Sequence, residues 1–357
     1  MIITRTPFRL TLGGGGTDLP SFYQEHGGFI FAVAIDKYMY INLKPTILED
    51  TIRVQYSKLE LVNHASELQH NLAREALAFF QIENGIEVVS IADVPAGTGL
   101  GSSSSYLVGL LNALHSLVQA TASTRQLAEE ACEIELLRLR KPIGKQDQYM
   151  AAFGGLTTLD IACDGKVTVS RVALGTDVLY ALESNILLFY TGCARDATAI
   201  LQEQNGATER KESRVVGSLR EIKDIGIEIR DCVMHGNLSR FGKLLDVHWQ
   251  AKKRLSGAIS NPRIDQWYEL AKQNGAIGGK ISGAGGGGFL MLYCDGPKHR
   301  LRESMHRAGL RELQFRFEFE GSKVVLDVVS REGRLAHMRR QEDRSRLRDV
   351  PATAAIA

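Results

Sequence analysis

Residues 95–105 read Pro-Ala-Gly-Thr-Gly-Leu-Gly-Ser-Ser-Ser-Ser, and they lie between an apolar strand-like run, 86–92, and an apolar helix-like run, 106–118. The three glycines allow the backbone to approach a ligand closely. The serines lie where a helix begins, and the free N–H groups and partial positive charge of a helix N-terminus suit a phosphate. A flexible Gly/Ser linker is the alternative. The apolar segments on both sides favour a phosphate-binding loop.

The composition is that of a globular protein with two domains. The chain has 357 residues, of which 44% are hydrophobic and 24% are charged. No apolar run is long enough for a membrane helix, and the N-terminus lacks the apolar core of a signal peptide. The five cysteines are far apart in the sequence. This spacing argues against a zinc site or a disulfide framework and predicts a cytoplasmic protein.

The distribution of charge argues against a nucleic-acid-binding protein. The net charge is +2, and residues 331–357 alone contribute +3 because they hold seven arginines and four acidic residues. The rest of the chain therefore carries −1, whereas nucleic-acid binders more often carry a basic face on the folded domain. We predict that 331–357 is a basic, flexible tail rather than a binding arm.

The first half of the chain is predicted to be rich in strands. Two apolar runs, 29–35 and 39–43, are expected to form a hairpin across Asp36 and Lys37. The other predicted strands are 1–10, 52–56, 86–92, 157–162 and 166–172, and the predicted helices are 66–80, 104–119, 123–140 and 146–153.

The second half is predicted to be rich in helices. Its predicted helices are 211–235, 238–255 and 263–274, and its predicted strands are 186–190, 289–294 and the alternating segment 313–319. This order of elements predicts an α+β fold in two domains, with the border between 175 and 185. We place the N-terminal domain at 1–180 and the C-terminal domain at 181–330.

Two further clusters supply the groups that a phosphoryl-transfer enzyme needs. Gly-Lys-Gln-Asp-Gln at 144–148 places a base and an acid at a helix start, although a surface lysine beside a helix carboxylate is the ordinary explanation. Pro7-Phe8-Arg9 is followed by four glycines and the pair Thr17-Asp18. No lysine follows the glycines of 95–105, so that loop is not a Walker A loop.

Together the three clusters resemble the GHMP small-molecule kinases, such as galactokinase and homoserine, mevalonate and phosphomevalonate kinases. The resemblance spans residues 1–330. Pro-Phe-Arg at 7–9 with the turn 13–18 matches the first family motif, and the glycine-rich segment 279–288 matches the third. The second motif is matched by Pro95, Gly99, Leu100, Gly101, Ser102 and Ser103. The family implies a ribosomal-protein-like N-terminal domain and a ferredoxin-like C-terminal domain.

The resemblance implies a role for individual residues. Asp147 corresponds to the aspartate that accepts the acceptor proton, and Arg9 to the cation that stabilises the developing charge. Ser103 and Glu135 correspond to the ligands of Mg²⁺. The residues implied to bind the phosphates of ATP are Pro95, Gly97, Gly99, Leu100, Gly101, Ser102, Ser103 and Ser104. The residues implied to bind the sugar are Arg9, Gly16, Thr17, Asp18, Asp147 and Gly285, while the third motif as a whole is expected to brace the phosphate loop.

Within the family, the sequence resembles the bacterial heptose kinases. Galactokinases have Gly-Glu-His-Thr-Asp where this chain has Gly-Gly-Gly-Thr-Asp at 14–18, and the segments 147–149 and 153–155 also match the heptose enzymes. The resemblance implies ATP-dependent phosphorylation of D-glycero-D-manno-heptose 7-phosphate at C1, in the synthesis of activated heptose for capsule or lipopolysaccharide. A fucose or galactose 1-kinase is the alternative.

Several points stay open from the sequence. A heptose 7-phosphate predicts a basic pocket, for which the candidates are Lys37, Lys145, Arg195, Lys252 and Arg254. The rivals to an active kinase are a silent sugar- and nucleotide-binding family member, an ATP-dependent decarboxylase and an RNA-binding protein. The expected partners are a sugar phosphate and ATP, with no nucleic acid and no membrane, and a homodimer is left open.

Overall fold

The computed structural model describes residues 1–192 and 197–336, which form two β-sheets covered by helices. The strands are β1 (Ile2–Gly13), β2 (Gly28–Pro45), β3 (Ile52–Gln55), β4 (Leu59–Val62), β5 (Ile86–Ala92), β6 (Leu156–Ile161), β7 (Val167–Arg171), β8 (Ile186–Tyr190), β9 (Gly278–Ile281), β10 (Phe289–Tyr293), β11 (Arg311–Leu313) and β12 (Lys323–Asp327). The helices are α1 (Pro20–His26), α2 (Asn71–Phe79), α3 (Ser102–Leu117), α4 (Thr124–Cys132), α5 (Gln146–Phe153), α6 (Thr176–Asn185), α7 (Ala197–Glu209), α8 (Ser213–Met234), α9 (Leu238–Lys253), α10 (Pro262–Gln273) and α11 (His299–Arg307). In the described ranges, no helix has the length and apolar character needed to cross a membrane.

The larger sheet is organised by the long strand β2. In the described residues this sheet has eight strands, with the path β12-β1-β2-β5-β3-β4 and with β6 and β7 branching from β2. The first half of β2 pairs with β6, and its second half pairs with β5. Residues 29–35 of β2 are at most 1% exposed because α3 and other elements cover both faces. The sheet therefore holds β1 and the start of α3 in fixed positions.

The predicted hairpin across Asp36 and Lys37 is wrong. Both residues lie inside β2, where the register against β1 shifts between Pro7 and Phe8 and leaves a bulge. The Lys37 ammonium donates to the Asp36 carboxylate at 2.7 Å. Polar residues between two apolar runs indicate a turn when read locally, but here a bulge in one continuous strand accommodates them.

The smaller sheet carries the C-terminal helices. In the described part of the chain it has four strands in the order β11-β8-β10-β9, all antiparallel. Helix α9 packs on α8 and on β9. Helix α10 begins where the Asn261 side chain accepts from the backbone N–H groups of Arg263 and Ile264, at 3.1 and 3.0 Å. Helix α9 also contacts β1, which belongs to the larger sheet.

The chain returns to the larger sheet near its C-terminus. The predicted strand 313–319 is wrong beyond Leu313, since β11 ends there and Phe317 forms an isolated bridge with Ile35 of β2. Strand β12 then pairs with β1. The alternation of Phe317 and Phe319 reflects one ring that is buried and one that is 45% exposed, outside a regular strand.

The start of the predicted tail is attached to the larger sheet. Residues 331–336 are helical, and Arg334 forms an ion pair with Asp327 at 2.6 Å. Its guanidinium also donates to the carbonyl oxygens of Ser116 and Leu117 at the end of α3, at 2.8 and 2.7 Å. The rest of the predicted tail lies outside the described residues.

Candidate active site

A cavity of about 600 Å³ lies where the three sequence clusters meet. Its walls come from β1, the turn 15–19, the start of α3, the loop 141–147, α7, α9 and the segment 280–284. The two sheets thus contribute opposite sides of one cavity. Every one of the three clusters has at least one residue in its lining.

The phosphate loop has the backbone that its glycines predict. Gly97, Gly99 and Gly101 have φ values of 73°, 82° and 83°, a region that other residues rarely adopt. Gly101 is the N-cap of α3, so the first free N–H groups of this helix face the cavity. Residues 102–104 line the cavity, and their binding of phosphate stays a prediction. Leu100 is instead fully buried in the core, and Pro95 lies outside the lining.

The third motif packs directly on this loop. A Cβ at Gly99 would lie 2.5 Å from the carbonyl oxygen of Ser282, and a Cβ at Gly283 would lie 2.6 Å from the Cα of Gly99. A Cβ at Gly288 would lie 2.3 Å from the carbonyl oxygen of Thr98. Only glycines permit this backbone contact, so the third motif occupies the bracing position that the resemblance implies.

Glu135 is a buried carboxylate at the base of the phosphate loop. Its side chain is 0% exposed and accepts hydrogen bonds from Ser104 Oγ at 2.7 Å, Gln148 Nε2 at 2.8 Å and Ser103 Oγ at 3.1 Å. Lys141 Nζ lies 3.0 Å from Glu135 Oε1. The predicted helix 123–140 stays α-helical only to Cys132, and Glu135 lies in the π-helical segment that follows. Such segments often occur at functional sites.

The donor set around Glu135 fits a magnesium ion. Ser103 is exposed to the cavity and supplies a hydroxyl, while Glu135 supplies a carboxylate, and Mg²⁺ prefers such oxygen ligands. Within the described ranges, no cluster of three or more His, Cys, Asp or Glu residues could hold a metal ion. One carboxylate and one hydroxyl suit a Mg²⁺ ion that is bound mainly through substrate phosphates and water.

Arg9 connects the phosphate loop to α5. Its Nε donates to Asp147 Oδ1 at 2.7 Å, and its Nη1 donates to the carbonyl oxygen of Gly99 at 2.5 Å. The Arg9 side chain is 5% exposed and that of Asp147 is 26% exposed. Asp147 therefore presents a carboxylate to the cavity beside a fixed guanidinium. This pair can accept a proton and stabilise a developing negative charge at one place.

Asp18 holds the start of α5 against the glycine turn. Its carboxylate accepts from Gln146 N at 3.0 Å, Gln146 Nε2 at 3.2 Å and Gly16 N at 3.2 Å. A Cβ at Gly144 would lie 1.9 Å from Asp18 Oδ2, which explains the glycine there. Burial raises the pKa of Asp18 above its usual value. Asp18 and Gly16 both line the cavity, and their binding of the sugar stays a prediction.

Two of the residues predicted to bind the sugar do not line the cavity. The Thr17 hydroxyl is fully buried, 2.8 Å from the carbonyl oxygens of both Gly14 and Phe29, and it accepts from Phe29 N at 3.0 Å. Gly285 packs on Ile259 rather than on the cavity. Both residues shape the backbone instead. The Thr17 hydroxyl bridges the glycine turn to β2, and Gly285 allows the third motif to pack closely on Ile259.

The sequence interpretation missed part of the cavity wall. Lys252 was a candidate, but the lining also contains Lys141, Gln204, His248 and Lys280. His248 and Lys252 are four residues apart on α9 and so share a face. That spacing was a usable signal, but only the tertiary structure shows which face of α9 meets the cavity.

Three other basic candidates point away from the cavity. Lys37, Lys145 and Arg254 contact the Asp36 carboxylate, the Gly165 carbonyl oxygen and the Glu221 carboxylate, respectively. Arg195 lies outside the described residues. Burial lowers the pKa of Lys252 to about 7 and lowers the pKa of Lys280 and His248 well below their ordinary values.

The family is shown by two sequence models. The model for the GHMP kinases N terminal domain matches residues 56–155, and the model for the GHMP kinases C terminal domain matches residues 229–311. This chain belongs to the GHMP kinase family. The α+β fold predicted from the sequence is thereby confirmed for this GHMP kinase.

Relatives identify this GHMP kinase as a sugar kinase. The D-glycero-alpha-D-manno-heptose 7-phosphate kinase of Campylobacter jejuni is 28% identical over 334 residues, 90% of this chain and 98% of that protein. The galactokinase of Pyrococcus furiosus is 24% identical over 368 residues, 91% of this chain and 97% of that protein. The crystal structure of a D-glycero-D-manno-heptose 1-phosphate kinase from Bacteroides thetaiotaomicron has a TM-score of 0.74 and 23% identity, covering 92% of this chain and 100% of that one. The protein is an ATP-dependent phosphotransferase that acts on a sugar hydroxyl.

Proposed function

We propose that this GHMP kinase transfers the γ-phosphoryl group of ATP to the C1 hydroxyl of D-glycero-D-manno-heptose 7-phosphate. The pairing of the Asp147 carboxylate with the Arg9 guanidinium at the cavity carries the proposal, because it places a proton acceptor beside a fixed cation. The Campylobacter relative and the Gly-Gly-Gly-Thr-Asp turn at 14–18 support a heptose phosphate as the acceptor. The 1,7-bisphosphate formed would supply activated heptose for capsule or lipopolysaccharide.

The nucleotide phosphates lie at the start of α3. The N–H groups of its first turn and the side chains of Ser102, Ser103 and Ser104 face the cavity there. Ser103 and Glu135 are the residues that would hold Mg²⁺, which neutralises phosphate charge when it is bound. Lys141 adds a cation 3.3 Å from Ser103 Oγ at the same place.

The sugar lies on the other side of Asp147. Asp147 accepts the proton of the C1 hydroxyl as the bond from that oxygen to the γ-phosphorus forms. The bond from the γ-phosphorus to the bridging oxygen breaks, and its electron pair leaves with ADP. Arg9 stabilises the charge on the transferred group, and the packing of the two glycine loops keeps its donors in place.

A panel of acceptors tests this function. ADP release is measured with D-glycero-D-manno-heptose 7-phosphate, the same heptose without phosphate, D-mannose, L-fucose and D-galactose, and phosphorus NMR locates the new phosphate. We expect the highest kcat/KM with the 7-phosphate and a product phosphorylated at C1. Activity confined to fucose or galactose would overturn the heptose-phosphate assignment and leave the sugar kinase intact. The Asp147→Asn variant supplies the background rate of ATP hydrolysis.

A further inference from the structure

One face of the cavity is lined by four buried polar side chains, which we name the acceptor wall: Gln204, His248, Lys252 and Lys280. Their exposed fractions are 4%, 1%, 8% and 3%, in that order. They come from three separate elements, α7, α9 and β9, and all four line the cavity. The mechanism described above gives none of them a role.

The lysines of the acceptor wall have no acidic partner among the described residues. Lys280 Nζ donates to the carbonyl oxygen of Leu12 at 3.0 Å, and Lys252 Nζ donates to the carbonyl oxygens of Ile281 and Gly283. An ammonium group has three donors, so each lysine keeps at least one. The three carboxylates of the cavity lining have other partners: Asp147 pairs with Arg9, Glu135 pairs with Lys141, and Asp18 accepts from Gly16 and Gln146. Without a counter-charge, burial lowers the pKa of both lysines, and an anionic ligand in the cavity would restore their protonated form.

The other two side chains have buried nitrogen atoms without a hydrogen-bond partner among the described residues. Nδ1 and Nε2 of His248 and Nε2 of Gln204 are buried and make no hydrogen bond in the described part of the chain. Buried polar atoms in native proteins are almost always hydrogen-bonded. Their position on a cavity wall beside two lysines indicates that a ligand with several acceptor oxygens completes them.

We propose that the acceptor wall is the subsite for the phosphate group of a phosphorylated sugar acceptor. This inference rests on the proposed function and identifies the basic pocket that a heptose 7-phosphate requires. A phosphate monoester carries a charge near −2 and three strong acceptor oxygens, which match two lysines without a carboxylate partner and the free donors beside them. A neutral sugar hydroxyl brings no charge that would keep the two lysines protonated.

The position of Lys280 distinguishes this phosphate from the transferred one, whereas Lys252 lies at the near end of the wall, where its Nζ donates to the carbonyl oxygen of Gly283 beside Gly99. Lys280 contacts Leu12, which lies three residues beyond Arg9 along β1. A strand rises about 3.3 Å per residue, so this step is about 10 Å. A seven-carbon sugar spans such a step when its C1 hydroxyl lies at Arg9 and its terminal phosphate lies at the wall. The transferred phosphoryl group stays beside Arg9 and the phosphate loop.

Lys280→Met tests the subsite, with Lys253→Met as the matched control. Lys253 lies next to Lys252 on α9, is absent from the lining and pairs with Asp265 at 3.4 Å. We expect the KM of Lys280→Met for the heptose 7-phosphate to rise about tenfold or more, because a charge-assisted contact is lost. We expect kcat/KM with the unphosphorylated heptose to fall by a clearly smaller factor, because that acceptor has no phosphate for Lys280 to bind. The control variant should match wild type on both acceptors.

Gln204→Leu serves as a second variant in case Lys280→Met does not fold. It removes one free donor without touching a lysine, and a selective rise in KM for the phosphorylated acceptor would again support the subsite. An equal loss with both acceptors would overturn it, since the wall would then serve the transferred phosphoryl group. No loss with either acceptor would also overturn it.

The same data separate this inference from the proposed function. A wild-type enzyme that prefers the phosphorylated heptose supports the function, and retention of that preference in both variants then overturns only the subsite. A wild-type enzyme that uses only unphosphorylated sugars overturns both. Calorimetric titration of each protein with the heptose 7-phosphate in the absence of ATP gives the affinity independently of turnover.

Discussion

The two halves of the cavity treat buried charge in opposite ways. Beside the phosphate loop, Glu135 is 0% exposed, yet its carboxylate meets four donors, including the cation of Lys141. On the acceptor wall, Lys252 and Lys280 are almost as deeply buried, and neither meets a carboxylate in the described residues. The first half is neutralised by the protein itself, whereas the second half holds two lysines whose counter-charge must come from a ligand.

This difference separates catalysis from selection of the acceptor. Groups that stabilise a transition state are most effective when their positions are fixed before the ligand binds, as they are around Glu135 and Arg9. Groups that select an anionic acceptor gain when the free site lacks a counter-charge, because the acceptor then relieves an existing cost. In the proposed mechanism, Asp147 lies between the two halves and serves the chemical step.

Replacement of Asp147 by Asn has the largest expected effect. The amide cannot accept the C1 proton, so we expect kcat to fall by about 10²- to 10⁴-fold. The affinity for nucleotide should stay within about twofold of wild type, because the groups of the nucleotide half are unchanged. Steady-state kinetics and a fluorescence titration with ATP measure the two quantities.

Asp160→Asn is the control for this change, since Asp160 is an exposed acid on β6 outside the cavity lining. It should behave as wild type. A near-normal kcat in Asp147→Asn would show that Asp147 is not the base. The catalytic half of the cavity would then have no assigned proton acceptor.

Removal of one cation from each half tests the comparison directly. Lys141→Met leaves the buried carboxylate of Glu135 without a counter-charge, so we expect unfolding free energy to fall by about 2 kcal/mol, since Lys141 is only partly buried. That loss lowers the Tm by roughly 3 °C in a protein of this size. Lys280→Met leaves no carboxylate behind and should lower the Tm by less. Differential scanning fluorimetry of the two variants without ligands decides the matter, and equal losses would contradict the contrast between the halves.

The smallest expected effect is a dependence of acceptor binding on pH, which tests the acceptor wall through Lys252. The pKa of Lys252 is lowered to about 7, first by burial and then by Arg9. Lys252 therefore carries its proton below pH 7 and loses it as the pH rises, in a cluster that also contains His248 and Lys280. We expect KM for the phosphorylated acceptor to rise by up to about tenfold between pH 6.5 and pH 8.5.

Lys252→Met should flatten this rise, because the titrating group is gone. The affinity for ATP, measured across the same pH range, serves as the control and should not follow Lys252. A wild-type KM that is constant over this range would show that the acceptor wall does not meet the acceptor phosphate through Lys252.

Local patterns in the sequence predicted much of the fold. Ser123 caps α4 by accepting from Gln126 N at 3.1 Å, as the Ser-x-x-Gln spacing indicates. The hairpin of β6 and β7 turns at Asp164 and Gly165. The predictions of secondary structure failed where the pairing of distant strands decides the conformation. Strand β2 continues through Asp36, and β12, from the far end of the chain, pairs with β1.

The sequence by itself predicted the phosphate loop and, through the family resemblance, the roles of Arg9, Glu135 and Asp147, and all three of these residues line the cavity. Glycines with positive φ and a serine-rich helix start form a phosphate-binding conformation from neighbouring residues alone. The order of the three family motifs along the chain supplied the rest of the prediction. Only the tertiary structure decided the acceptor wall, where side chains from α7, α9 and β9 meet across the cavity. The physical reason is that charge compensation depends on distance in space: a lysine without a carboxylate partner looks, in sequence, like any other lysine.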